Sequence, residues 1–150
     1  MPMPTPSASP TSASNKGRKR QASAIDTDEI IKQAMAKSGQ LQPGQTPEQF
    51  LKQLGAVLEK DEHTIAVRMI DSVFVLSLEP DMKGATVFIF SLDQNPMNIV
   101  EDLNMLGEHM HGLGLNYLIG TDVPPGVQKL VKQTGRKVTQ LGPDSIRVDF

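Results

Sequence analysis

Cysteine and tryptophan are absent from the 150 residues of this sequence, and aromatic residues make up only 4% of it. Without cysteine there can be no disulfide framework, no thiolate metal site and no cysteine nucleophile. The core must therefore be built from leucine, isoleucine, valine and the eight methionines. No apolar run approaches the roughly 20 residues of a membrane span, and the first residues lack the apolar stretch of a signal peptide. We therefore expect an intracellular or particle-associated protein.

Acidic residues are absent from the first 25 positions, which carry Lys16, Arg18, Lys19 and Arg20. The rest of the chain holds the other 11 basic residues and all 17 acidic residues, so a basic arm precedes a mildly acidic body. The arm is rich in proline, serine and threonine and cannot bury enough apolar surface to fold alone. It is either a solubilising tail or localisation patch, or an extended segment that binds a partner protein or nucleic acid through its four cations. We predict the second.

Helix and strand patterns follow the arm. Asp26 or Thr27 begins a short helix that ends before Gly39. Thr46 and Gln49 have the spacing of a capping box at the start of the first large helix. We predict an arm over residues 1–25, a helix and linker over 26–45, and a domain over 46–150. Further helices are predicted over 96–111 and 125–133, and strands over 64–70, 73–78, 86–92, 117–119, 137–141 and 145–150.

The last third of the chain alternates strands and helices in an order that resembles the second half of the GNAT acetyltransferase fold. Its first strand, 86–92, is a nearly continuous apolar run, which is typical of a central strand buried on both faces. The resemblance implies an α/β (α+β) protein with a GNAT-like mixed β-sheet flanked by helices, preceded by the extended N-terminal arm.

In the GNAT family, a Gln/Arg-x-x-Gly-x-Gly/Ala loop after the central strand cradles the CoA pyrophosphate with backbone N–H groups at a helix N-terminus. In this sequence methionine and isoleucine stand at the two glycine positions, a proline removes one donor, and no lysine or arginine lies between Lys83 and Lys129. We therefore predict a degenerate cofactor loop and no cofactor. The loop consists of Gln94, Asn95, Pro96, Met97, Asn98 and Ile99.

A second family signature, Asn-x-x-Ala-x-x-Leu-Tyr-x-x-x-Gly-Phe, resembles the stretch 121–136. Leu130 and Gly135 match it, whereas Val131 replaces the tyrosine that often protonates the departing thiolate, and Arg136 replaces the phenylalanine. The single tyrosine of this sequence, Tyr117, begins the preceding strand. The resemblance therefore favours a retained scaffold without the catalytic acid, and we predict no catalytic residue.

Short segments at 71–76, 87–91, 112–120 and 127–135 are also similar to GNAT-like domains of tailed-bacteriophage virion proteins. This likeness implies a non-enzymatic structural or accessory component of a virion, present in the host cytoplasm during assembly. The arm would dock onto other subunits, with possible nonspecific contact to nucleic-acid phosphates and none to membranes. The alternatives are a divergent acetyl-CoA-dependent N-acetyltransferase and a nucleic-acid-associated adaptor that uses the basic arm.

Histidines and strand-end carboxylates are the other residues that could carry chemistry. His109 and His111 lie two apart on a predicted helix and point about 200° apart, so we expect no shared metal ion. Glu79 and Asp93, at strand ends, are candidates for a general base, although acids at such positions are more often turn residues.

Overall fold

A computed structural model of the chain describes residues 25–150, which form a six-stranded mixed sheet and four helices. The sheet order is β1-β2-β3-β4-β6-β5, in which only β3 and β4 are parallel neighbours. The helices are α1 (Thr27–Ser38), α2 (Pro47–Lys60), α3 (Pro96–Gly112) and α4 (Pro125–Lys132). The strands are β1 (Thr64–Arg68), β2 (Ser72–Leu78), β3 (Gly84–Ser91), β4 (Tyr117–Gly120), β5 (Val138–Gly142) and β6 (Ser145–Asp149).

The sheet is covered differently on its two faces. Phe74 on β2 belongs to a core that contains the apolar residues of α3 and α4, whereas its neighbour Val73 packs with Ile30 and Ile31 of α1. Because successive side chains of a strand point to opposite faces, α3 and α4 lie on one face and α1 and α2 on the other. The predicted mixed α/β sheet flanked by helices is confirmed.

The predicted helix starts are confirmed at their caps. Asp26 accepts a hydrogen bond from Glu29 N (2.9 Å), and Thr46 and Gln49 form both bonds of a capping box. α1 packs against α2, β2 and β3. The division of the chain at residue 45 stays a prediction.

The predicted division of the stretch 64–78 into two strands is confirmed, since β1 and β2 pair antiparallel on either side of a turn at 69–71. One expectation about the strands needs correction. The central strand β3 is not buried on both faces along its whole length, because the Phe88 side chain is 41% exposed. Strand β4 does not extend beside this part of β3.

No helix within residues 25–150 has both the length and the apolar character needed to cross a bilayer.

Candidate functional site

The candidate site begins where strands β3 and β4 separate. The two strands pair over only four positions, from Gly84 opposite Tyr117 to Val87 opposite Gly120. β3 continues through residues 88–91, which pair with β2 alone. We call the gap beside residues 88–91 the notch.

Backbone groups of β3 face the notch. Hydrogen bonds run from Glu79 N to Gly84 O (2.8 Å) and from Leu92 N to Asp71 O (3.0 Å). These two bonds show that the even-numbered residues of β3 bond to β2. Strand N–H and C=O groups alternate between the two edges. The groups of Ile89 and Ser91 therefore point away from β2, and no described strand lies opposite them. Such an edge is suited to pairing with an extended ligand.

Thr121 follows the last paired residue of β4 and so lies at the inner end of the notch. Its Oγ1 atom is buried and has no hydrogen-bond partner among residues 25–150. The backbone then turns through Asp122, at φ 54°, and returns to the core at Val123. A buried hydroxyl without a partner costs about 1–3 kcal/mol, so Thr121 is a polar group that a ligand in the notch could satisfy.

The turn between β3 and α3 is held by its own side chains. The Asp93 carboxylate accepts hydrogen bonds from Asn95 N (2.9 Å) and Asn98 Nδ2 (2.8 Å). Asn95 Oδ1 accepts from Met97 N (3.0 Å), and Asn95 O accepts from Asn98 N (3.0 Å). Pro96 has no N–H. The donors of this first helical turn are therefore engaged within the chain or absent.

This turn does not fit the CoA pyrophosphate that the GNAT resemblance implies. A phosphate at a helix N-terminus needs available N–H groups and close approach to the backbone. Here the Asp93 carboxylate binds the Asn95 N–H group and adds negative charge. The Met97 side chain, 45% exposed, projects from the first turn. The degenerate loop over 94–99 and the absence of a cofactor stay predictions, and this geometry argues for both.

The positions of the second family signature make structural contacts. Val131, where the family has tyrosine, is 2% exposed and belongs to the core. The Arg136 guanidinium donates to Asn104 Oδ1 (3.0 Å) and Glu108 Oε2 (2.9 Å) and lies 4.3 Å from the centroid of the Phe150 ring. Arg136 therefore joins the segment after α4 to α3. Sequence reasoning missed this link because its hydrogen-bond partners lie 28 and 32 residues away.

Tyr117, the single tyrosine of the chain, lies at the end of β4 opposite the notch. Its hydroxyl donates to Asp81 Oδ2 (2.9 Å), and the Arg147 guanidinium stacks 3.9 Å from its ring centroid. Burial, followed by the Asp81 hydrogen bond, raises the pKa of Tyr117. The Lys83 backbone N–H and then the tyrosine hydroxyl lower the pKa of Asp81. Tyr117 is thus a protonated structural donor at the opposite end of β4 from the notch.

The remaining candidates do not converge on the notch. Glu79 accepts a hydrogen bond from Thr86 Oγ1 (2.5 Å) at the Tyr117 end of β3. His109 and His111 are exposed near the end of α3. Within residues 25–150, no three side chains come together as a metal site.

A shallow open pocket lies between the linker and α2, lined by residues from Gln42 to Gln53. The predicted partner-binding residues, Lys16, Arg18, Lys19 and Arg20, lie outside the described part of the chain.

Solved structures resemble this chain in fold. An acetyltransferase from Thermus thermophilus has a TM-score of 0.50 and 17% identity, over 71% of this chain and 75% of that protein. A Salmonella typhimurium acetyltransferase, which modifies the N-terminal serine of 50S ribosomal subunit protein L7/L12, has a TM-score of 0.51 and 12% identity, over 78% and 84%. A protein from Desulfovibrio desulfuricans, assigned to the GNAT family, has a TM-score of 0.51 and 11% identity, over 88% and 96%.

No protein-family model matches the sequence, and no curated protein matches it either. None of these comparisons links the chain to bacteriophage virion proteins, so that part of the predicted resemblance finds no support. At identities below 25% the solved structures establish the fold alone. The chain has the fold of the GNAT acetyltransferases.

Proposed function

We propose that this protein is a GNAT-fold binding domain that neither binds nor consumes acetyl-CoA. The observation that carries the proposal is the Asp93 carboxylate, which accepts hydrogen bonds from Asn95 N and Asn98 Nδ2 in the turn where the resemblance would place a pyrophosphate. A phosphate arriving there would have to displace a bonded carboxylate and then lie beside its charge. Like charges repel at such short range.

The placement of possible acids and bases supports the same proposal. A general acid must come within about 3 Å of the group that it protonates. Val131 carries no acidic proton, and Tyr117 is bonded to Asp81 at the far end of β4. Arg136 is engaged with α3.

Calorimetric titration of the full chain with acetyl-CoA tests this proposal. We expect no heat of binding at ligand concentrations that saturate a GNAT acetyltransferase titrated in parallel. That enzyme confirms that the ligand is intact. A dissociation constant in the micromolar range would overturn the proposal.

A divergent N-acetyltransferase is the second candidate, and the notch favours it. The strand edge at Ile89 and Ser91 and the buried Thr121 hydroxyl are groups that an extended ligand could pair with. The structural comparisons agree with this candidate at least as well as with the first, since each of the solved structures described above is an acetyltransferase. No catalytic residue is assigned.

The two candidates differ in what Thr121→Val would do. If the notch holds an acyl donor, this variant should weaken acetyl-CoA binding several-fold by removing a hydrogen-bonding group. The matched control Asp81→Asn lies at the other end of β4 and should leave binding unchanged. Equal affinities for all three proteins would count against use of the notch.

The role in a large assembly stays a proposal from the sequence. It includes docking of the arm onto other virion subunits and contact with nucleic-acid phosphates. The comparisons give no support to a bacteriophage structural role.

A further inference from the structure

The notch between β3 and β4 is held open by the residues that follow β4. The chain turns at Asp122, and Val123, which is 3% exposed, packs into the core. Val123 N donates to Asp144 O (2.9 Å), and Val123 O accepts from Gln128 Nε2 (2.8 Å). A Cβ atom at Gly120 would lie 2.7 Å from the Val123 side chain. Because these contacts draw the chain away at Gly120, β4 does not extend along residues 88–91.

An aromatic side chain lies beside the notch on the face of the sheet that carries α1 and α2. Phe88 points to the same face as Phe90, because side chains two apart on a strand share a face. The Phe90 ring packs against Phe50 (centroids 5.8 Å apart), whereas the Phe88 side chain is 41% exposed. A strand added along residues 88–91 would place a side chain next to Phe88, and aromatic cross-strand pairs stabilise sheets. An apolar residue is therefore favoured opposite Phe88.

The segments that bound the notch are acidic. Residues 88–95 and 119–123 contain two aspartates and no lysine or arginine. One of these, Asp122, is exposed just after the end of β4. A phosphate would be repelled from this carboxylate, whereas a lysine or arginine side chain would be attracted to it. The charge therefore favours a cationic ligand over an acyl donor that carries a pyrophosphate.

We propose that the notch binds a short extended segment of a partner protein that carries lysine or arginine. The segment adds a strand to β3 through the backbone groups of Ile89 and Ser91, which supply affinity. Phe88 and Asp122 supply the preference for an apolar residue and a cation, and the buried Thr121 hydroxyl offers a further hydrogen bond at the inner end of the notch. This inference rests on the proposed function, since it names the ligand of the binding domain.

Selection from a displayed library of random peptides of about ten residues, against the immobilised full chain, tests this proposal. We expect the enriched peptides to alternate apolar or β-branched residues with lysine or arginine, and to lack a central proline. Titration of the isotope-enriched protein with the tightest peptide should shift the amide signals of Ile89 and Ser91. No enrichment, enrichment of acidic peptides, or shifts confined to other residues would overturn the proposal.

Methylation of single N–H groups in the selected peptide tests whether it pairs as a strand. The N–H groups of a strand alternate between its two edges. Methylation at every second position should therefore weaken binding at least about tenfold, because it removes a hydrogen bond to β3. Methylation at the positions between them should have little effect. A loss that is equal at all positions would contradict pairing with β3.

Two pairs of variants test the side-chain contacts. Phe88→Thr keeps a residue suited to strands and should weaken peptide binding about fivefold, whereas Ile65→Thr, at an exposed apolar position on β1, should not. Asp122→Asn removes a charge, while asparagine still tolerates a positive φ, and should weaken binding more at low than at high salt. Its control is Glu59→Gln near the end of α2. Unchanged affinity in Phe88→Thr or in Asp122→Asn would count against the proposal.

The amide signals of Ile89 and Ser91 also separate the peptide from other occupants. Signals that move with protein concentration alone would replace the peptide with a second copy, and signals that move only with single-stranded DNA would replace it with a nucleic acid. If neither peptides nor acetyl-CoA move them, this inference is wrong and the proposed function stands. If acetyl-CoA alone moves them, both are wrong. We expect the selected peptide to move them and acetyl-CoA to leave them unchanged.

Discussion

Two glycines within helices have opposite surroundings. A Cβ atom at Gly107 in α3 would overlap the ring of Phe150, whereas a Cβ at Gly55 in α2 would meet nothing within 4 Å. Glycine inside a helix costs about 1 kcal/mol relative to alanine, and at position 107 the close approach of an aromatic ring explains why no larger residue stands there. The structure identifies the neighbour as the C-terminal residue, which follows β6.

Alanine should therefore change stability in opposite directions at these two positions. Gly107→Ala should lower the free energy of unfolding by about 1–2 kcal/mol, because overpacking exceeds the gain in helix propensity. Gly55→Ala should raise it by about 0.5–1 kcal/mol. Urea unfolding followed by circular dichroism measures both. A stabilising Gly107→Ala would show that the Phe150 ring moves aside without cost.

At the scale of elements, the caps of the helices come from neighbouring residues in sequence. The capping box of α2 satisfies two donors, through Thr46 Oγ1 bonded to Gln49 N (3.1 Å) and Gln49 Oε1 bonded to Thr46 N (2.9 Å). The residues of α2 are at most partly buried, so its packing is limited. The cap should therefore matter for this helix.

Thr46→Ala should lower the free energy of unfolding by about 1 kcal/mol, since the alanine side chain cannot accept the bond from Gln49 N. Thr46→Ser retains the hydroxyl and should stay close to the wild type. Chemical denaturation compares the three proteins. Equal losses in both variants would mean that the threonine methyl group, and not the cap, stabilises this end of α2.

The extent of β3 illustrates what pattern alone misses at this scale. Its apolar run correctly indicated a central strand, paired with β2 and β4. The run could not show that β4 stops at Gly120 and opens the notch, or that Phe88 is 41% exposed. The length of a partner strand is a property of the assembled sheet.

For the whole molecule, hydrogen bonds to exposed carboxylates shape the dependence of stability on pH. Gln33 chiefly lowers the pKa of Glu29, and the backbone N–H groups of His63 and Lys83 chiefly lower those of Asp61 and Asp81. A pKa lower in the folded than in the unfolded state stabilises the fold above the unfolded pKa, about 4 for aspartate. This stabilisation is lost as the pH falls through the folded pKa.

We therefore expect the urea midpoint to fall as the pH drops below about 4, and Asp81→Asn to make this decline shallower. At alkaline pH the direction in which stability changes follows from Tyr117, whose pKa is raised in the folded state. Its stabilising contribution is present below the unfolded value, about 10 for tyrosine, and is lost as the pH rises towards the folded pKa. If the urea midpoint falls equally steeply in acid for Asp81→Asn and for the wild type, the claim that Asp81 contributes to the loss of stability in acid is wrong.

Near-ultraviolet absorbance of the single tyrosine, followed as the pH is raised, measures the pKa of Tyr117 directly. Asp81→Asn should lower the pKa of Tyr117 but leave it above its ordinary value, because burial is the larger cause. Asp61→Asn should alter the acid decline and leave the tyrosine titration unchanged. A tyrosine titration that responds equally to both substitutions would contradict the Asp81 contact.

Local chemistry, read from the sequence, determined the helix caps and the order of strands and helices, and the resemblance of that order to the GNAT fold implied the mixed sheet. The caps and the individual elements depend on residues a few positions apart and on the period of apolar side chains. Only the tertiary structure decided that Asp93 bonds to its own turn, that Arg136 links to α3, and that β3 and β4 separate after Val87. The bonds of Asp93 depend on the directions of the side chains in its turn, whereas the Arg136 link and the separation of β3 and β4 depend on partners distant in sequence. All three are fixed only when the helices and the sheet have packed together.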